Sequence, residues 1–133
     1  MKKIIYLFLI GIIFCSGCNS LTEDEKNISA LFEKLNIQIK NDTTNLKIVI
    51  IPLEGCGKCI KQAVNDITNK PDYIFILSCF SKKTARMSVG DNVLMYPNVY
   101  LDEHSFAVKS SLVTVAPMFY LLKGNKCVLK KNY

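Results

Sequence analysis

Cys56 and Cys59 stand two residues apart, directly after the apolar run Ile48-Val49-Ile50-Ile51-Pro52-Leu53 and the turn pair Glu54-Gly55. A helical pattern begins at the second cysteine, so the sulfurs fall at a strand-to-helix turn. A thiol just before a helix N-terminus meets free backbone N–H groups and the positive end of the dipole, and both favour the thiolate. Lys58 adds a positive charge with the same effect. The thiolate is the attacking species in disulfide exchange, and Cys59, one turn on, is placed to resolve the mixed disulfide. Glu54 is either a proton acceptor for this pair or an exposed loop carboxylate. A bridge across so small a loop stabilises less than a long-loop bridge, so chemistry explains the pair better than stapling. A static bridge and a metal pair, with His104 as a third ligand, are the competing readings.

The remaining chain reads as elements that hold these sulfurs. Thr22-Glu23-Asp24-Glu25 is a capping box, and Ile28, Leu31, Phe32, Leu35 and Ile39 recur at helical spacing, which predicts a helix over 23–38. Leu46–Ile51 is a β-branched run suited to a strand buried on both faces. Ile60, Ala63, Val64 and Ile67 mark the helix after the cysteines, closed by Pro71. Tyr73–Cys79 is a second buried strand. Strand, helix and strand at this spacing form a βαβ unit with parallel strands. Ser81–Val89 is weakly helical and Gly90-Asp91-Asn92 is a break. Asn98–Asp102 reads as a short strand, and Phe106–Val113 as one or two helical turns. Gly124-Asn125 between two apolar runs is a hairpin signal.

The chain has 133 residues. That suffices for one domain with a real core. Met1-Lys2-Lys3, the apolar stretch Ile4–Phe14 and the small residues before Cys18 have the layout of a signal peptide, and the run is too short to span a bilayer. The expected organisation is a signal at 1–17, a tether at 18–22 and one domain at 23–133. Removing Lys2 and Lys3 lowers the formal net charge from +6 to +4. The lysines are spread along the chain without a dense basic block, which argues against nucleic-acid binding. Of 6 cysteines, Cys15 leaves with the signal and Cys18 stands at the cleavage point, ahead of the domain. Cys56, Cys59, Cys79 and Cys127 then remain in an exported domain, where disulfides persist. Cys79 and Cys127 read as small core hydrophobes, with a bridge between them or a redox relay as alternatives.

Two families enter on these residues. The ending Cys15-Ser16-Gly17-Cys18 resembles a bacterial lipobox, although Cys15 stands where Leu is usual. The resemblance implies cleavage before Cys18 and lipid on its sulfur; an ordinary cleaved signal or an uncleaved anchor are the alternatives. Leu46–Ile67, followed by Val115-Ala116-Pro117-Met118 and the hairpin to Lys126, resembles the thioredoxin superfamily. The stretch Asn98–Val113 looks like the insert of its TlpA-like, membrane-tethered branch. The resemblance spans 46–130. It implies an α/β, thioredoxin-like fold: a central mixed sheet, flanking helices, a strand-helix insert, and then a cis-proline at Pro117 lying against the cysteines. The backbone of Ala116 would pair with an extended substrate segment; Pro117 read without the resemblance is an ordinary strand-start proline. The chain departs from the family at three tuning positions. Gly55 replaces the usual Trp before the first Cys, Ile50 replaces the buried acid, and Gln62 replaces a Glu found in some TlpA-like reductases. No C-terminal helix of the family's kind is expected after the hairpin.

The resulting expectation is a lipid-anchored extracytoplasmic thiol–disulfide oxidoreductase, reducing protein disulfides through Cys56 and Cys59. It needs no cofactor or metal, and its partners are protein disulfides, a membrane electron donor and the membrane through the Cys18 lipid. Asn19, in place of the Asp that retains many lipoproteins at the inner membrane, tips the expected location toward the outer membrane. The alternatives are a non-catalytic thioredoxin-like accessory module with a static Cys56–Cys59 bridge and a metal chaperone.

Overall fold

A computed structural model describes residues 21–39 and 45–133. The expected signal, Cys18 and most of the tether lie outside the described residues. The elements are α1 (Glu23–Lys34), β1 (Asn45–Pro52), α2 (Gly57–Asp66), β2 (Tyr73–Ser78), α3 (Lys82–Val89), α4 (Asp91–Leu94), β3 (Val99–Asp102), α5 (Phe106–Lys109), β4 (Met118–Lys123) and β5 (Lys126–Asn132). They form a mixed α/β domain around one five-stranded sheet of order β3-β2-β1-β4-β5. β1 runs parallel to β2, as does β3; β4 runs antiparallel to β1, and β5 antiparallel to β4. This architecture is compatible with a thioredoxin-like fold. Among the described residues no helix follows β5, and none is long and apolar enough to cross a membrane.

The central strand explains the two-layered core. Ile48, Val49, Ile50 and Ile51 are all fully buried. Strand alternation sends Ile48 and Ile50 to one face, against Ile28, Leu31 and Phe32 of α1. Val49 and Ile51 go to the other, against Ile60, Ala63 and Ile67 from α2 and its end. Each such side chain contributes about 1.5–3 kcal/mol on burial, so an unbroken apolar run pays where both faces are covered.

The helix boundaries show where local chemistry decided. Thr22 and Glu25 cap α1 reciprocally: the Thr22 hydroxyl accepts from Glu25 N, and the Glu25 carboxylate accepts from Thr22 N. The helix stops at Lys34, short of the expected 38. Asn36 takes φ 54°, a left-handed turn that Asn tolerates, and Ile37 N–H closes back on Phe32 O at 2.9 Å. Similarly, α2 ends at Asp66, well before Pro71. The expected break at 90–92 is narrower than foreseen: Gly90 alone turns the chain at φ 82°, and α4 restarts at Asp91.

β3 adds the outer strand beside β2, and α5 follows it. Buried Asp102 fastens this insert: its carboxylate accepts from Ser78 Oγ (2.8 Å), Phe106 N (3.0 Å) and Ala107 N (2.9 Å). At the opposite edge, Glu25 accepts from Cys127 N at 2.9 Å, tying α1 to β5. The sheet ends in a cluster where Tyr133 donates to Asp66 Oδ2 and accepts from Lys70 Nζ, both at 2.6 Å.

The cis expectation for Pro117 is corrected. Among the described residues every peptide bond is trans. Trans is the lower-energy X-Pro isomer by about 0.5–1 kcal/mol, and here it still delivers the preceding loop to the cysteines. Pro117 is buried, and its carbonyl accepts from Tyr133 N at 3.0 Å.

Candidate functional site

The two cysteines sit beyond the C-terminal end of β1, at the start of α2. The turn between is built from backbone bonds: Leu53 N to Ser78 O (2.9 Å), Gly55 N to Pro52 O (3.0 Å) and Cys56 N to Val115 O (2.6 Å). Cys56 is the N-cap of α2 in an extended conformation, φ −66° and ψ 106°. Its carbonyl accepts from Ile60 N at 2.9 Å, which starts the helix. The sequence pattern placed the helix start at Cys59; α2 begins at Gly57, which puts Cys59 one turn in.

Gly55 explains one departure from the thioredoxin pattern. A Cβ at this position would meet the Val115 carbonyl oxygen, and the carbonyl carbon would lie 2.8 Å from it. The loop before β4 therefore comes so close to the cysteine turn that no larger residue fits without moving it, least of all a Trp. Val115 carried no signal in the sequence beyond standing two residues before Pro117. Its side chain and that of Phe80 are 67% exposed each, leaving apolar surface beside the turn.

Both cysteines are half-buried free thiols, with Sγ atoms 2.7 Å apart. The contact polarises the pair. The contact with Cys59, the Cys59 and Lys58 backbone N–H groups and the Lys58 charge together hold Cys56 below the ordinary cysteine range. Cys59 moves the other way, raised by that same contact, by burial and by the neighbouring Cys56 charge. The two sulfurs are thus made unequal, Cys56 the more acidic and Cys59 the less.

The other expected site residues are distributed unequally. Ala116 is half-buried between the Val115 carbonyl and Pro117, so this segment does reach the cysteines. Glu54 is exposed and turns toward the end of β2, where its Oε1 accepts from Phe80 N at 3.3 Å. Ile50 is a fully buried core residue, and Gln62 is exposed on α2. Cys79 is fully buried, and burial, with the nearby Glu54 charge, pushes its thiol up to about 11. Cys127 packs against the core on the opposite face of the sheet from Cys79, and both are free. His104 lines an open groove of about 480 Å³ with Lys34 and Phe106. No cysteine, serine or threonine lines that groove. Among the described residues no three His, Cys, Asp or Glu side chains gather as metal ligands.

No protein-family model matches the chain, and no curated protein matches it in sequence.

Proposed function

We propose that the protein is a thiol–disulfide oxidoreductase of the thioredoxin-like, TlpA-like kind, working outside the cytoplasm on a lipid anchor at Cys18. The observation that carries this reading is the polarised pair: Cys56 at the helix N-cap with a lowered pKa, and Cys59 2.7 Å away with a raised one.

The reaction follows from that asymmetry. The Cys56 thiolate attacks one sulfur of a partner disulfide; a Cys56–partner S–S bond forms, the partner's own S–S bond breaks, and the second partner sulfur leaves as thiolate. Cys59 gives up its proton, whose acceptor is the departing thiolate or water, and attacks Cys56 Sγ. The intramolecular bond forms and the first partner sulfur is released. Two electrons pass from the Cys56/Cys59 dithiol to the partner, which ends as a dithiol. A membrane dithiol donor would restore the reduced form. The Ala116 backbone would hold the partner as an added extended segment.

Trapping tests this directly. A Cys59→Ala chain keeps the attacking sulfur but cannot resolve, so mixed disulfides with envelope proteins should accumulate on Cys56. Absence of such adducts would favour an accessory module with a static bridge. A Cys18→Ser chain that still incorporates labelled fatty acid would refute the anchor.

A further inference from the structure

An open groove of about 440 Å³ lies beside the cysteine turn, between the start of α2 and the end of α3. Its walls are Leu53, Ile60, Val64 and Val89, its margin toward the cysteines is Gly55 and Gly57, and Lys61 and Ser88 form the remaining margin. A Cβ added at Gly57, next to Cys56 in the chain, would meet nothing within 4 Å, so the space over Gly57 is open. The charge at the margin is of one sign. Lys61 is the one charged residue of the lining and is exposed, Lys58 is exposed one turn before it on α2, no carboxylate lines the groove, and the first turn of α2 holds no acid.

We infer that this groove is a recognition subsite of the exchange reaction: it takes an apolar side chain that lies within two residues of the reacting cysteine of a partner polypeptide, with carboxylates alongside. The inference rests on the exchange reading above. Three features select this occupant. The groove adjoins Cys56, so the recognised group and the reacting sulfur belong to one molecule. The walls are aliphatic, which rewards an apolar side chain and supplies few fixed polar groups for a small charged thiol. The lysine margin complements acidic residues on the same segment.

The test is single-turnover reduction of peptide disulfides by the reduced full chain, which needs no electron donor. Peptides carry Leu, Phe or Gly two residues from the cysteine, each with Asp or Lys flanks. Wild-type protein should reduce the Leu and Phe peptides about tenfold to a hundredfold faster than the Gly peptide, the range an aliphatic pocket gives. Asp flanks should outpace Lys flanks, and Lys61→Glu should reverse that order. Ser88→Trp, on the exposed face of α3, should fill the groove and bring the Leu and Gly rates together. Equal rates for Leu and Gly peptides on wild-type protein overturn the subsite while leaving exchange intact. A preference that survives Ser88→Trp does the same. No exchange with any peptide, or with a small aromatic disulfide, overturns the exchange reading and the subsite together.

Discussion

Gly55→Ala is the substitution that most directly probes how the cysteine turn is held. The new Cβ would meet the Val115 carbonyl, with the carbonyl carbon at 2.8 Å, whereas ordinary contact begins at 3.4 Å. The loop must therefore retreat, and the obstacle is backbone rather than a flexible side-chain tip. Forcing such overpacking costs about 1–3 kcal/mol. The retreat also weakens the 2.6 Å bond from Cys56 N to Val115 O. A backbone hydrogen bond contributes about 0.5–1.5 kcal/mol net. Against this, removing a glycine from the unfolded chain returns about 0.4–1 kcal/mol. The expected outcome is a net loss of about 1–3 kcal/mol. Urea unfolding should show it as a lower midpoint at unchanged slope. Gly57→Ala is the control, because nothing lies within 4 Å of a Cβ there; it should be neutral or slightly stabilising. If Gly55→Ala proves as stable as Gly57→Ala, the close approach of the Val115 loop is wrong, and with it the explanation for the missing Trp.

Other expectations follow from the same geometry. Alkylation of Cys56 should reach half its maximal rate below pH 9.0, and Cys59→Ala should move that midpoint upward by removing the largest contact that favours the thiolate; an unmoved midpoint would refute the pairing of the two sulfurs. Asp102→Ala strands three donors around a buried position and should cost about 3–5 kcal/mol in urea unfolding, with Asp102→Asn costing less. Glu25 is held below its ordinary 4.5 by N–H groups of Thr22 and Cys127. Its folded pKa is therefore the lower one, so its stabilisation is complete above pH 4.5 and fades as pH falls through the folded value. The stability gap between wild type and Glu25→Gln should be constant near neutrality and shrink in acid; a gap that does not vary with pH would contradict this.

Much of the framework was legible because it rests on local rules. The unbroken run at Ile48–Ile51 could only suit a strand covered on both faces, and the Thr22–Glu25 box announced α1. The Cys56–Cys59 spacing ahead of a helical pattern placed two sulfurs at one helix start, which suffices to foresee a lowered Cys56. Boundaries were less legible. Asn36 ended α1 early through its tolerance of a left-handed turn, while Leu35 and Ile39 still carried the apolar spacing.

What tertiary structure alone decided depends on segments far apart in sequence. The Val115 carbonyl, 59 positions from Cys56, closes on the Cys56 N–H and makes Gly55 obligatory. Glu54 reads as a neighbour of the cysteines in the chain, yet it bonds Phe80 at the end of β2. The groove between α2 and α3 exists because the chain leaving β2 returns as α3 to the face that α2 covers, where Ala85 and Val89 pack in the same core as Ile60 and Ala63. Local sequence determined the type and order of the elements, since propensity, capping and periodicity act over a few residues. It did not determine these contacts, because they arise where packing brings distant backbone together, and no residue-by-residue pattern encodes that distance.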